Sequence, residues 1–153
     1  MIALDRLPPA LEFEHERITA VQADILDRPL ADRSFDQIIN CSSVEHVGLA
    51  GRYGSGERPD GDLEAMEILR GLLAPGGRMV VTIPVGRDLV CPPLHRIYGQ
   101  DRLPRLLDGY VVEEEQFWAK NTVWSRTERD RALATQGSRS FYSLGMFLLR
   151  PQP

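Results

Sequence analysis

Three apolar segments of this 153-residue chain each end in a side chain that carries a carboxylate or amide oxygen. These side chains are Asp5, Asp24 and Asn40. If the segments are parallel strands, their carboxyl ends lie along the sheet edge at which open α/β sheets bind ligands. One carboxylate there can accept hydrogen bonds from both ribose hydroxyls, and the next can meet the exocyclic amine of an adenine. The three residues therefore predict a site for an adenosine-containing ligand.

The elements that position these side chains are indicated by residues 59–83. Apolar residues at helical spacing predict a helix over 59–73, which ends before Pro75-Gly76-Gly77 because proline cannot continue it. The glycines supply a turn with positive φ. Residues 79–83 are continuously apolar and β-branched, as is typical of a strand buried on both faces of a parallel sheet. With a strand over 36–41, these elements form a βαβ unit.

The rest of the chain predicts a single α/β domain over residues 1–153. A glycine-rich loop over 42–61 is long enough to form the rim of an active site. The sequence Glu113-Glu114-Glu115 is predicted to be a solvated stretch at the end of a strand. Further strands are predicted over 2–5, 17–22, 109–112 and 140–149, and a short helix over 101–107.

Composition limits the class of function. The chain is 42% hydrophobic and 26% charged, with a formal net charge of -4, which allows one core and argues against a nucleic-acid or anionic-membrane surface. Small molecules or protein partners are expected instead. The two cysteines, Cys41 and Cys91, form no C-x-x-C pattern, and no apolar run has the length of a membrane span. These features, with no signal peptide at the start, predict a cytoplasmic protein with reduced thiols.

The ordered segments resemble the class I S-adenosylmethionine-dependent methyltransferases, of the methyltransferase type 11 kind. The matching segments are Ile2-Ala3-Leu4-Asp5, Val21-Gln22-Ala23-Asp24-Ile25, Ser34-Phe35-Asp36-Gln37-Ile38-Ile39 and Leu72-Leu73-Ala74-Pro75-Gly76-Gly77-Arg78. Within that class, other segments resemble an uncharacterised group, a domain of unknown function of the DUF268 type. Those segments are Glu45-His46-Val47-Gly48-Leu49, Gly51-Arg52-Tyr53-Gly54, Gly61-Asp62-Leu63-Glu64-Ala65-Met66 and His95-Arg96-Ile97-Tyr98-Gly99.

The resemblance extends over residues 2–150 and implies a Rossmann-like, three-layer α/β fold whose mostly parallel sheet has an antiparallel last strand. It implies S-adenosyl-L-methionine as cofactor. Asp5 would hold the ribose hydroxyls, and Asp24 with Ile25 would flank the adenine. The floor beneath the methionine and its methyl group would be formed by Asn40, Cys41 and Ser42. For Asp5 and Asp24 the alternative is an ordinary role in a turn or helix cap.

The resemblance places Glu45 and His46 beside the methyl acceptor. His46 is the candidate general base, because an imidazole titrates near neutral pH. The alternative is that His46 caps the helix or loop. Some relatives bind a divalent ion through a Glu-x-x-Glu-His cluster at this point, but Ser42 occupies its first position here, so no metal is expected.

Further residues are candidates for binding the acceptor. His95 would reach the same rim from the loop after the strand over 79–83. Arg52 or Arg96 would hold an anionic acceptor, because guanidinium groups bind carboxylates and phosphates. Tyr53 lies in the same motif as Arg52, and Tyr98 lies in the same motif as Arg96, so both tyrosines are also candidates for binding the acceptor. The alternative for this set is loop packing with satisfied hydrogen bonds.

One feature of the family has no counterpart in this sequence. The glycine-rich loop that follows the family's first strand is missing, and so is the strand, which lies at the centre of the sheet. The strands at Ile2 and Ile38 are therefore expected to lack a common neighbour. An N-terminally truncated chain is the favoured interpretation; a remodelled sheet, a homo-oligomer or a partner chain that completes the sheet are alternatives.

Two functions follow as hypotheses. The first is S-adenosylmethionine-dependent methyl transfer to a small-molecule or glycan acceptor. The second is a catalytically inactive methyltransferase-like module that binds a partner protein. A nucleotide-sugar-binding or nicotinamide-binding domain is less favoured, because those folds also need a glycine loop after the first strand.

Overall fold

The computed structural model describes residues 1–7, 15–51 and 56–153. The strands are β1 (Ile2–Asp5), β2 (Thr19–Gln22), β3 (Phe35–Cys41), β4 (Leu73–Val85), β5 (Leu89–Cys91), β6 (His95–Ile97), β7 (Tyr110–Lys120), β8 (Trp124–Thr127) and β9 (Ser143–Pro151). The helices are α1 (Gly61–Gly71), α2 (Arg102–Leu106) and α3 (Arg129–Leu133). Two 3-10 turns span Ile25–Asp27 and Val44–His46. In these residues no helix is both long and apolar enough to cross a membrane.

The main sheet has five strands in the order β3-β4-β9-β7-β8. β3 and β4 are parallel, and α1 makes the crossover between them, as the βαβ prediction requires. β9 inserts antiparallel between β4 and β7, which confirms the predicted antiparallel last strand. β5 and β6 form a separate antiparallel hairpin.

The core lies on one face of the five-stranded sheet. Side chains alternate along a strand, so Met79, Val81 and Ile83 of β4 point to the same side, where they are fully buried. Residues from all three helices join them in one hydrophobic cluster, among them Met66, Leu103 and Leu133. On the opposite face, Ile39, Val80 and Leu148 lie side by side across three strands. Ile39 is 76% exposed there.

β1 and β2 form a two-stranded parallel sheet that is not hydrogen-bonded to the other strands. This agrees with the expectation that the strands at Ile2 and Ile38 share no neighbour in the chain. The 3-10 turn after β2 packs against α1, with Ile25 and Leu26 partly buried against the core. This contact attaches the small sheet to the body of the protein.

The helix and strand around Pro75 differ in extent from their predicted bounds. α1 begins at Gly61 and ends at Gly71, and β4 already begins at Leu73. Phe35 pairs with Leu73, and two residues further along β3 Gln37 pairs with Arg78, so residues 74–77 bulge from the ladder. Gly76 has a φ of 81°, as the glycine turn predicts.

The interpretation of Glu113-Glu114-Glu115 as the end of a strand was wrong. The three residues lie within β7, where they are exposed. Glu113 forms ion pairs with Arg78 of β4 and Arg150 of β9. Cross-strand charge pairs of this kind let a charged run continue as a strand. Strands β5, β6 and β8 and helix α3 had not been predicted. Each of these four elements has five residues or fewer.

Candidate functional site

The loop after β3 is fixed by short-range hydrogen bonds. Asn40 Oδ1 accepts a hydrogen bond from Val44 N at 3.3 Å. Ser42 N donates to Thr82 O at 3.0 Å and lies near Thr82 Oγ1 at 3.1 Å. Ser42 has a φ of 48°, which turns the chain sharply at the carboxyl end of β3. Cys41, next to it, is exposed. The loop therefore starts from a defined position.

Glu45 is an acidic side chain in the protein interior. It lies in the 3-10 turn Val44–His46 and is only 2% exposed. Within the described residues, Oε2 is buried without a hydrogen-bond partner. Desolvation by burial raises the pKa of Glu45 from its ordinary 4.5 to about 7. Glu45 can therefore bind or release a proton near neutral pH.

His46 lies next to Glu45 and is anchored by its ring. Its Nδ1 contacts the backbone carbonyl of Leu94. Because a carbonyl only accepts hydrogen bonds, Nδ1 carries a proton, and Nε2 is the nitrogen that gains or loses the second one. Nε2 lies 3.8 Å from Glu45 Oε1. The pair places an imidazole beside a carboxyl group whose pKa is raised to about 7.

Asp5 and Asp24 lie at neighbouring strand ends, where Ala23 N donates to Asp5 O at 3.0 Å. The side chain of Asp5 accepts one hydrogen bond, from Leu7 N to Oδ1 at 2.8 Å, and the residue is exposed. Among the described residues, its second carboxylate oxygen has no hydrogen bond.

Both oxygens of Asp24 are engaged in local structure. Oδ1 accepts from Leu26 N at 3.0 Å and so caps the 3-10 turn. Oδ2 accepts from Arg6 Nη1 at 2.6 Å. The alternative interpretation of Asp24 as a cap residue thus describes its present contacts. Ile25, which follows, is partly buried against the core.

The predicted acceptor-binding residues are not exposed where the structure describes them. Arg96 and Tyr98 are almost fully buried, and His95 is buried with its ring edge-on to Tyr142 at 5.3 Å. Their side chains do not reach an open surface, so the packing alternative describes their positions better. Arg52 and Tyr53 lie outside the described residues.

Sequence reasoning missed the importance of Asp62. This fully buried carboxylate accepts hydrogen bonds from Tyr98 Oη at 3.0 Å and from Arg102 Nε at 2.9 Å, and Arg102 Nη2 lies 2.5 Å from its second oxygen. The available signal was its spacing: Asp62, Met66 and Leu69 share one face of α1, so the apolar stripe begins with a charge. A charged side chain on the buried face of a helix indicates that another part of the chain supplies an ion-pair or hydrogen-bond partner.

A groove of about 1080 Å³ lies between α1 and α2. It is lined by charged side chains of both signs, including Arg58, Glu64 and Arg105, and by none of the predicted site residues. The candidate site is therefore defined by the strand ends and the loop after β3, and not by this groove.

Solved structures share this fold. The N-methyltransferase NodS from Bradyrhizobium japonicum WM9, solved with S-adenosyl-L-homocysteine, has a TM-score of 0.60 and 19% identity over 99% of this chain and 66% of NodS. A SAM-dependent methyltransferase of the DUF858 family from Leishmania major has a TM-score of 0.56 and 16% identity over 87% of this chain and 46% of its own. TehB from Haemophilus influenzae has a TM-score of 0.53 and 13% identity over 89% of this chain and 42% of its own.

These likenesses confirm the predicted fold, that of the class I methyltransferases. The chain spans 66% or less of the length of these three proteins. No curated protein sequence matches the chain. The family described as "Caenorhabditis protein of unknown function, DUF268" matches residues 13–130. Because that match covers more than half of the sequence, the chain belongs to the DUF268 family.

Proposed function

We propose that this chain carries the core of an S-adenosylmethionine-dependent methyltransferase of the cytoplasm, acting on a small-molecule or glycan acceptor. The observation that carries the proposal is the arrangement at the carboxyl ends of the strands. β1 and β2 are parallel, and so are β3 and β4. Asp5 is the last residue of β1, Asp24 follows the end of β2 by two residues, and Asn40 is the last but one residue of β3. The likeness to NodS over 99% of the chain supports it.

The described residues fit a cofactor site only in part. Asp5 is exposed with one carboxylate oxygen not hydrogen-bonded by the described residues, as binding of a ribose hydroxyl requires. Asn40, Cys41 and Ser42 would lie under the methionine end. Asp24 would meet the adenine only after releasing Arg6 from Oδ2. When bound, the cofactor supplies a methyl group on a sulfonium, which is already a good leaving group.

The chain's own contribution would be to orient the acceptor and to take its proton. Alignment of acceptor and methyl group supplies much of the rate in such a transfer. His46 would accept the acceptor's proton at Nε2, while its Nδ1 stays bonded to Leu94 O. Glu45 Oε1, 3.8 Å from Nε2, would stabilise the imidazolium that results. Arg52 and Tyr53 are retained as candidates for holding the acceptor.

The test is isothermal titration of the purified chain with S-adenosyl-L-homocysteine, which needs no knowledge of the acceptor. Three proteins are compared: the wild type, Asp5→Ala, and Asp32→Ala as a control that removes an exposed carboxylate elsewhere. We expect micromolar binding by the wild type and Asp32→Ala, with at least ~10-fold weaker binding by Asp5→Ala.

Absence of binding by a folded wild type would overturn the enzyme proposal for this chain. Equal affinity in Asp5→Ala and the wild type would show that a cofactor site exists but that Asp5 does not contribute to it. The same titration with the nicotinamide and nucleotide-sugar ligands tests the less favoured alternative directly.

The second candidate function is a module that binds a protein partner, because β3 and the β1–β2 sheet have unpaired edges within the described residues. Edge strands that are open and apolar are sites for pairing with another strand. A second copy or a partner chain would complete the sheet. Sedimentation equilibrium of the wild type, Ile39→Lys and Val123→Lys tests self-association. Val123→Lys is the control, since both side chains are at least 70% exposed.

Association that only Ile39→Lys abolishes would support pairing at β3. Monomers in all three proteins would reject the homo-oligomer and leave a different chain as the partner.

A further inference from the structure

Arg96, on β6, has a charged side chain in the protein interior. Its side chain is 1% exposed. Nη1 donates to Val47 O at 2.6 Å and to Glu45 O at 3.4 Å. These carbonyls belong to the residues on either side of His46. One guanidinium nitrogen therefore holds the backbone on both sides of the proposed base.

The other half of the guanidinium binds a segment that is remote in sequence. Nη2 donates to Arg58 O at 3.3 Å and to Pro59 O at 3.2 Å, just before α1. Nε lies 3.6 Å from Asp62 Oδ1, and Asp62 is fully buried. Asp62 supplies the opposite charge that a buried guanidinium needs. Arg96 thus joins the loop after β3 to the start of α1.

A third contact comes from the residue before β6. The backbone carbonyl of Leu94 binds Nδ1 of His46. Residues 45, 46 and 47 are thus each bonded to the segment from Leu94 to Arg96. Two of these contacts fix the backbone and one fixes the imidazole, so β6 sets the position of the turn and the direction of the His46 ring.

The geometry needs an arginine. Four carbonyls are bound by two nitrogens of one planar group, and a lysine ammonium offers three donors from a single point. An apolar side chain of similar volume would fill the space without the cost of burying a charge. Arg96 therefore acts by binding these four backbone carbonyl groups.

We propose that Arg96 is a positioning residue for the proposed methyl transfer, which acts by holding the Glu45–His46 turn to β6. The catalytic role of Arg96 rests on the proposed function. Its effect on the position of the turn is measured without the cofactor. Arg96 contacts neither the acceptor nor the methyl group in this proposal. Its effect passes through the backbone of Glu45 and Val47.

The test compares Arg96→Lys with Arg78→Lys, a matched loss of a guanidinium that pairs with Glu113 on the sheet surface. Two readouts are used: amide hydrogen exchange by residue, and the NMR titration of the His46 imidazole, assigned with His46→Gln. In Arg96→Lys we expect exchange at residues 45–47 to be at least ~10-fold faster, with Phe147 in β9 unchanged. We also expect the His46 titration midpoint to move. Arg78→Lys should change neither.

Uniformly faster exchange throughout Arg96→Lys, with an unmoved His46 titration, would show a purely structural role and overturn the proposal. Unchanged exchange at residues 45–47 would overturn it as well. If Arg96→Lys does not fold, Tyr98→Phe removes one hydrogen bond from Asp62 and should give a smaller change at the same residues. Failure of wild-type cofactor binding would reject the proposed function, while the exchange data would still decide the positioning.

Discussion

The backbones of Gly48 and Gly61 approach so closely that a Cβ built on Gly61 would lie 2.9 Å from the Cα of Gly48. This contact presses the loop after β3 against the first residue of α1. Gly48 O also accepts a hydrogen bond from Arg58 N at 2.9 Å. The loop that carries Glu45 and His46 is thus packed against α1 as well as held by Arg96.

Gly48→Ala is expected to destabilise the protein by about 2 kcal/mol. Gly48 has a φ of 77°, and an added Cβ would clash with the backbone carbonyl oxygen of Arg58. Urea unfolding followed by circular dichroism measures the change. Gly71→Ala is the control, since nothing in the described residues beyond its chain neighbours and its own helix backbone lies within 4 Å of the added Cβ. The stability of this variant should stay equal or rise by about 0.5 kcal/mol. Equal effects in the two variants would contradict the prediction.

Asp62→Ala is expected to cost about 3 kcal/mol of unfolding free energy. The substitution leaves the buried guanidinium of Arg96 without its nearby carboxylate and removes the acceptor of Arg102 and Tyr98. The measurement is the midpoint of urea unfolding, with the slope of the unfolding free energy against urea concentration kept equal for all variants. Asp60→Ala removes an exposed carboxylate that also contacts Arg102, and should cost less than about 1 kcal/mol. A loss as small for Asp62 as for Asp60 would show that the buried pair adds little.

The carboxyl group of Glu45 should make stability fall as the pH rises. Burial raises its pKa from 4.5 to about 7. Below pH 4.5 the group is protonated in both states. Between that pH and about 7, the unfolded chain releases a proton that the folded protein keeps, so unfolding becomes easier with rising pH.

Glu45→Gln removes this dependence. The stability difference between this variant and the wild type should shift in favour of the variant by about 3 kcal/mol from pH 4.5 to pH 8. Urea unfolding at several pH values measures it. Glu67→Gln, in the exposed part of α1, is the control and should give a difference independent of pH. A flat difference for Glu45→Gln would place its pKa near the ordinary value.

Asp24→Ala should lower stability by about 1 kcal/mol, because it removes the cap of the 3-10 turn and the partner of Arg6. Asp24→Asn keeps an oxygen that can accept from Leu26 N, so a smaller loss is expected. Thermal unfolding of the two variants checks the order. Equal losses would mean that the ion pair, and not the cap, carries the contribution of Asp24.

The fold could be predicted from local patterns. The apolar runs and the Pro75-Gly76-Gly77 turn indicated β3, α1 and β4, because helix and strand periods are properties of neighbouring residues. β5, β6, β8 and α3 escaped prediction because elements of three to five residues carry too few periods to be recognised. The length of β7 was underestimated because Arg78 and Arg150, which pair with Glu113, come from other strands.

The positions of Asp5 and Asp24 could be predicted for the same reason. Asp5 and Asp24 follow apolar runs, and their place at neighbouring strand ends follows from parallel pairing. The sequence pattern did not indicate that Arg6 pairs with Asp24, because the two residues are 18 positions apart.

By itself, the sequence determined the βαβ unit of β3, α1 and β4, the family resemblance, and the polar residues at or near the carboxyl ends of β1, β2 and β3. These depend on side-chain periodicity and on proline and glycine, which act over a few residues. Only the tertiary structure decided that Arg96 and Tyr98 lie inside the protein, that Asp62 faces them, and that Glu45 is buried. Burial and charge pairing depend on segments that meet only in the folded chain: Tyr98 and Asp62 are 36 residues apart, and Arg96 and Glu45 are 51 apart.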